Sequence, residues 1–348
     1  MSLTVLNDWH IGAIRSGGTT PATAYQLRQD LLGQFQHTLD GIATDLLLNG
    51  DLFDGPDIPK ADLLRTYQLL WNWLEHNPTA HLYLSNGNHD LSKNSTVLSS
   101  FQLLAKLLIS AFEARVTHIE AGQPICDGEA YVIPHVANQA LFDVELARVP
   151  ACDYLFVHAN YNNGFAVESD HSLNVSEDQA HAAPVKFIVF GHEHQARIEL
   201  GGKVVIVGNQ VPSSVADCLG NATKGHFYTM ASDQGVGYNL PQHWHAEGDF
   251  SEQDWRDLKD TGRFIRVTGT ATAEEGAKVV QVISRFRQQA KALVITNAVK
   301  IEGVNDQEAL ALTHEQITGF DVHEALAKLL TPEENAKINA LLEKQNDQ

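Results

Sequence analysis

Short apolar runs in this chain end repeatedly in clusters of Asp, His or Asn, and this recurrence constrains the fold most. Leu3–Leu6 runs into Asp8-Trp9-His10, and Asp45–Asn49 into Gly50-Asp51-Leu52-Phe53-Asp54. His81–Ser85 runs into Gly87-Asn88-His89-Asp90, Tyr154–Val157 into His158, and Phe187–Phe190 into Gly191-His192-Glu193-His194. Between the first three runs the period changes. Leu27, Leu31, Phe35 and Leu39 stand four apart within residues 22–43, and residues 59–76 read as a second helix. The chain therefore opens βαβαβ, the pattern of a layered α/β fold.

A further helix is expected over residues 96–114. Strands are expected near Val116–Ile119, Ala130–Ile133 and Val204–Val207, so the second part of this region is strand-rich with few helices. Trp71 and Trp73, on the 59–76 helix, read as core residues. A polar stretch, Gln242–Asp260, separates a smaller module: strand Phe264–Thr268, helix Glu274–Gln288 and strand Leu293–Ile301. The end of the chain reads as helices. Thr331-Pro332-Glu333-Glu334 is a helix start, with Thr as N-cap and Pro at the first helical position.

Sites in open α/β sheets assemble at the carboxyl ends of strands. Carboxylate, imidazole and amide oxygen are ligands for hard and borderline metal ions. In an Asp-x-His segment both side chains can point to one side, because residues i and i+2 share a face. The glycines permit the tight turns that bring such groups together. Each fragment alone is a weak signal; their order, spacing and position make the set a strong one.

The set resembles the calcineurin-like metallophosphoesterases, whose pattern is D-x-H, G-D-x-x-D, G-N-H-D/E, H and G-H-x-H. The match spans residues 5–194. The resemblance implies a layered β-sandwich flanked by helices, with two divalent metal ions. Asp8, His10 and His194 would bind the first, Asn88, His158 and His192 the second, and Asp51 would bridge them. His89 would stabilise the phosphate or protonate the leaving oxygen, a role imidazole suits because it titrates near neutrality. Asp54 and Asp90 would orient the ligands or His89. Two ions about 3.5–4 Å apart can activate a bridging water and clamp the attacking and leaving oxygens. Mn²⁺ suits the mixed oxygen and nitrogen ligands, with Mg²⁺, Fe²⁺ or Zn²⁺ as alternatives.

Asp-Trp-His-Ile-Gly and Gly-Asp-Leu-Phe-Asp are similar to the DNA-repair branch, the SbcD-type nuclease subunits and their phage counterparts. Gly55-Pro56 stands where the protein serine/threonine phosphatases carry Arg-Gly. The resemblance implies a DNA exonuclease or endonuclease subunit whose C-terminal helices dock on an SbcC-type coiled-coil ATPase. A homodimer is a further expected assembly. Two alternatives remain open: a phosphoesterase for a small nucleotide or metabolite, and a non-catalytic metal-containing subunit that binds a partner. The segment Gly208–Ser214 is only loosely like the family's usual continuation, and Arg263, Arg266, Arg285 and Arg287 are the best basic candidates in the smaller module.

The 348 residues suggest one large domain and a smaller one. The expected division is a catalytic domain over 1–249, an α/β cap over 250–312 and a helical tail over 313–348. The net charge of −19, from 24 basic and 43 acidic residues, makes a poor stand-alone binder of nucleic acid. That count omits any metal charge facing the carboxylates. Cys126, Cys152 and Cys218 lack a paired spacing, the first residues read as a strand, and no apolar run is long enough to span a membrane. A cytoplasmic protein is expected.

Overall fold

The structure is a computed structural model. It describes residues 2–94, 96–163, 173–218, 226–229, 236–237, 245–249, 264–272, 275–289 and 292–302. The helical tail expected over 313–348, the Thr331 helix start and Arg263 lie outside the described residues, as do both expected domain boundaries.

The described part begins β1 (Leu3–Leu6), α1 (Pro21–Asp40), β2 (Asp45–Asn49), α2 (Lys60–His76), β3 (Leu82–Ser85), α3 (Ser100–Phe112) and β4 (Val116–Ile119). It continues through β5 (Gln123–Ile125), β6 (Ala130–Ile133), α4 (Gln139–Ala147), β7 (Cys152–His158), β8 (Asn160–Tyr161), β9 (Asn174–Val175) and α5 (Glu177–Ala182). Strands β10 (Val185–Gly191), β11 (Arg197–Glu199), β12 (Val204–Ile206), β13 (His226–Thr229), β14 (Val236–Gly237), β15 (His245–Asp249), β16 (Phe264–Thr268) and β17 (Thr270–Ala271) follow. Then come α6 (Gly276–Gln289), β18 (Val294–Asn297) and β19 (Lys300–Ile301).

Two six-stranded sheets dominate. One runs β14-β13-β1-β2-β3-β4, with β1 to β4 mutually parallel; the other runs β11-β12-β10-β7-β6-β5, parallel from β12 to β6. Strand alternation sorts their side chains. Leu3, Val5 and Leu47 of the first sheet cluster with Val132, Tyr154, Phe156 and Val189 of the second, so the sheets pack face to face. Leu46, Leu48, Leu82 and Leu84 point the other way, onto Leu27, Leu31 and Phe35 of α1, Leu70 and Leu74 of α2, and Leu104 and Leu108 of α3. Leu155, Val157, Ile188 and Phe190 pack on Phe142 and Leu146 of α4 and Ala180 of α5. The expected α/β sandwich flanked by helices is thus the observed fold.

Capping sets the helix starts. Thr20 and Ser99 form capping boxes with Thr23 and Gln102, which place α1 at Pro21 and delay α3 to Ser100, four residues beyond its expected start. The short helices α4 and α5 were not expected. They have only 9 and 6 residues, too few turns for a strong helical period. Trp73 is core, with its indole N–H donating to the Ile42 carbonyl, while Trp71 is half-buried against Tyr67 and Phe112.

The described residues fall into two units, those up to 269 with those of 280–299, and those of 270–279 with 300–302. Within the first, β15, β16 and β18 form a parallel sheet whose Phe264 and Val294 join the core beneath α1. Arg287 donates to the carbonyls of Ile295 and Gly17, so this candidate for nucleic-acid contact is turned onto the protein itself. In the second unit, β17 pairs with β19. The expected strand Leu293–Ile301 is therefore two strands in different sheets. Cys126 and Cys152 are free thiols. Among the described residues no helix is long and apolar enough to cross a membrane.

Candidate metal centre

Every expected ligand lies at the carboxyl end of a parallel strand. Asp8 and His10 follow β1, Asp51 follows β2, and Asn88 and His89 follow β3; His158 ends β7, while His192 and His194 follow β10. The two sheets meet here. Asn49 at the end of β2 donates its amide to the Val157 carbonyl of β7. The backbone N–H of His192 donates to both carboxylate oxygens of Asp8, each at 3.0 Å.

The local backbone is bent hard to bring the ligands in. Asp8, His10, Asp51 and His192 have φ of 54°, 48°, 49° and 83°. A left-handed conformation costs a residue with a Cβ about 1–2 kcal/mol, and such strain persists only where its surroundings over-determine it. Here a ladder of hydrogen bonds does so. Asp8, His10 and Ile11 donate backbone N–H groups to the carbonyls of Gly50, Asp51 and Leu52, and Asp54 donates back to Ile11. Asp90 accepts from the N–H of Phe53 at 3.0 Å and of Gly87 at 2.9 Å, tying the second and third loops together. At Gly50 a Cβ would lie 2.1 Å from His158 Nδ1, so that turn has room for a ligand only because the side chain is absent.

Among the groups the side chains form, two hold the expected ligands: Asp8 with His10 and His194, and Asp51 with His158 and His192. His10 Nε2 and His194 Nε2 are 3.0 Å apart. His194 Nδ1 lies 2.6 Å from Asp217 Oδ1, and His10 Nδ1 lies 3.3 Å from Asp54 Oδ1. The His194 Nδ1 hydrogen is bonded to Asp217 and His10 Nδ1 has the Asp54 carboxylate as its near neighbour, so with both protons on Nδ1 the two Nε2 lone pairs would face each other. Two facing acceptors repel unless a cation or a proton lies between them. In the second cluster His158 Nδ1 donates to the Asn49 carbonyl at 3.0 Å, leaving Nε2 to face Asp51 Oδ2 at 3.3 Å and Asn88 Oδ1 at 3.2 Å. His192 Nδ1 stands 3.0 Å from the same Asn88 oxygen. Ligand atoms around one ion at bonds of about 2.1 Å stand roughly 3.0–3.4 Å apart in octahedral or tetrahedral geometry. The residues fit two metal ions.

Asp51 lies between the clusters. Its Oδ1 accepts the His89 N–H at 2.9 Å, and its Oδ2 is 3.3 Å from His158 Nε2 and 4.0 Å from His10 Nε2. Electrostatics follow from this crowding. Burial pulls the His158 pKa down, but the Asp51 and Asp8 carboxylates outweigh it and raise it to about 9. Burial and the neighbouring His158 push His192 down to about 4. Burial would raise Asp51, yet the imidazoles of His158, His10 and His89 hold it far below the ordinary carboxylate value. Asp90, buried beside Asp51, is pushed up to about 7.

His89 belongs to a third group, with His10 and Asp54. Its Nδ1 donates to the Asp54 carbonyl at 2.9 Å, which leaves Nε2 as the working nitrogen. Its ring stands edge-on to His10 with centroids 5.0 Å apart. Asp8, His10, Asp51 and His158 are buried and form the floor, while Asn88, His89, His192 and His194 are partly exposed on the rim.

Residues 1–196 match the family model of the calcineurin-like phosphoesterases. This chain is a calcineurin-like phosphoesterase. It is a dimetal, metal-dependent phosphoesterase, and its clustered Asp and His side chains could hold metal ions. Among solved structures the phosphoesterase is similar to a cold-active protein-tyrosine phosphatase of a psychrophile, Shewanella sp. The identity is 14%, over 67% of this chain and 76% of that one, with a TM-score of 0.35. It is also similar to a dimetal phosphatase from Danio rerio, at 11% identity over 66% of this chain and 91% of that one, with a TM-score of 0.34. No curated protein matches the chain.

Sequence reasoning missed two residues of this phosphoesterase's site, Asp217 and Arg15. Asp217 orients His194, and Arg15 pairs with Asp54. The available signal was the Gly208–Ser214 segment, only loosely like the family's usual continuation, which stands three residues before Asp217.

Proposed function

We propose that this phosphoesterase hydrolyses the phosphodiester bonds of DNA, as a nuclease subunit, with Mn²⁺ as its working ion. The observation that carries the phosphoryl chemistry is the position of Asp51, one carboxylate facing the imidazoles of both clusters. When bound, a pair of divalent ions supplies an activated water and neutralises charge on the transferring phosphoryl group. The chain's own residues do the rest. Asp8, His10 and His194 would hold one ion, Asn88, His158 and His192 the other, and Asp51 would serve both. The Asp54 carbonyl fixes the His89 tautomer, so a protonated His89 donates from Nε2 to the leaving oxygen.

The choice of DNA is supported by the Asp-Trp-His-Ile-Gly and Gly-Asp-Leu-Phe-Asp motifs and by Gly55-Pro56. The partly exposed rim also suits a long backbone lying across the site. A helical tail over 313–348 docking on a coiled-coil ATPase belongs to the same reading. The net charge of −19 favours a second reading, a small nucleotide or metabolite phosphoester, because polyanion affinity needs Lys and Arg. The test is a panel of end-labelled DNA and small phosphodiesters with Mn²⁺, against a chelator control. Metal-dependent release of nucleotides from DNA supports the first reading. Turnover of small diesters with none of DNA selects the second.

A further inference from the structure

Each ligand of the first cluster is backed by a polar group, and one short segment, residues 208–217, supports that backing. Asn7 donates its side-chain amide to Asp8 Oδ2. Gln210 holds Asn7 in turn, accepting its backbone N–H at 2.8 Å and donating to its Oδ1 at 3.1 Å. Asp217 faces His194 Nδ1 at 2.6 Å, and Asp54 faces His10 Nδ1 at 3.3 Å.

A single side chain joins the last two carboxylates. Arg15 Nη1 lies 2.8 and 2.9 Å from the two oxygens of Asp54. Its Nε donates to the Ser213 carbonyl at 3.0 Å, and its Nη2 to Ser213 Oγ at 2.7 Å. Ser213, fully buried, donates its N–H and hydroxyl to Asp217 Oδ2 at 2.8 and 3.1 Å. The hydrogen-bond directions are consistent throughout: the guanidinium donates to Ser213, Ser213 to Asp217, and His194 to Asp217. Only a planar fork with several fixed donors can meet a carboxylate, a carbonyl and a hydroxyl together. The second cluster is backed differently, through the Asn49 carbonyl on His158.

We propose that Arg15 is the positioning residue of the first metal site: it holds Asp54 and Asp217 so that His10 and His194 present Nε2 to one ion. It thereby sets that ion's affinity separately from the other's. The inference rests on the two-metal reading of the site and not on the choice of substrate. Loss of a group that orients a metal ligand typically costs about 10–100-fold in metal affinity.

The experiment is a Mn²⁺ titration of the full chain, read by equilibrium dialysis and electron paramagnetic resonance. The wild type is compared with Arg15→Gln, Ser213→Ala and a charge control, Arg148→Gln, whose partner Glu145 lies on α4. The wild type should bind two ions. Arg15→Gln should keep one at wild-type affinity and weaken the other about 10–100-fold. Ser213→Ala should weaken the same ion by less, and Arg148→Gln should change neither. Two wild-type affinities in Arg15→Gln, or equal weakening of both ions, would overturn the proposal. If Arg15→Gln loses its circular dichroism signature of folding, Ser213→Ala decides by the same criterion. A wild type that binds fewer than two ions would overturn the two-metal reading itself, and the proposal with it.

Discussion

Gly87 and Asp51 approach so closely that a Cβ at Gly87 would lie 2.1 Å from Asp51 Oδ1 and 2.4 Å from its backbone nitrogen. The carboxylate between the two clusters occupies the space a side chain at position 87 would take. Because the backbone is involved, a rotamer change cannot relieve the clash. Gly87→Ala should therefore fold but misplace Asp51, lowering turnover at least roughly 10²-fold, the scale expected for a displacement of about 1 Å. Circular dichroism, metal content and hydrolysis of an aryl phosphodiester with Mn²⁺ check this. Wild-type turnover would mean that Asp51 need not sit where it does.

Asp51→Asn should be the most damaging ligand substitution. On the proposed reading the carboxylate would serve both ions, and its charge would offset their mutual repulsion. Amide replacement keeps the shape and removes the charge. Metal content by mass spectrometry should fall for both ions, whereas His194→Ala should chiefly reduce one. Chelator should abolish wild-type turnover, and added Mn²⁺ should restore it.

His89 tests the separation of chemistry from binding. Its Nδ1 is engaged by the Asp54 carbonyl, while the other imidazoles face ligand atoms. His89→Gln should retain near-normal metal content and lose about 10²–10⁴-fold in turnover, the scale of a missing general acid. A fall in metal content instead would make His89 a ligand, an outcome that its grouping with His10 and Asp54 makes worth measuring.

The pH dependence of stability should carry a signature of His118 on β4. Burial against Phe101 lowers its pKa below the ordinary histidine value, more than the exposed Glu120 nearby raises it. The folded state therefore takes up this proton less readily than the unfolded chain. Its contribution to stability is present above the unfolded pKa of about 6.5 and is lost as pH falls through the folded value. Denaturant midpoints should decline on acidification below about pH 6.5, and His118→Phe should flatten that decline. An unchanged slope in the variant would assign the effect to other groups.

The sequence by itself marked the strands that lead into the site, the turns after them and the candidate ligands on those turns, because each is a local property. Asp8 and His10 are two residues apart, and Gly50 adjoins Asp51 at the turn after its strand. Leu46, Leu47 and Leu48 alternate between two faces whatever lies beyond them. Short helices such as α4 and α5 escaped because so few turns leave little period to read. The tertiary structure alone decided which carboxylate backs which imidazole. Arg15 meets Ser213 across 198 residues of sequence, and His194 meets Asp217 across 23. It also turned Arg287, one of the basic candidates of the smaller module, onto Gly17, 270 residues away. Hydrogen-bond partners at such separations are chosen by which loops the packed sheets bring together at one edge. That choice depends on the closure of the whole sandwich and leaves no period or spacing in the chain to reveal it.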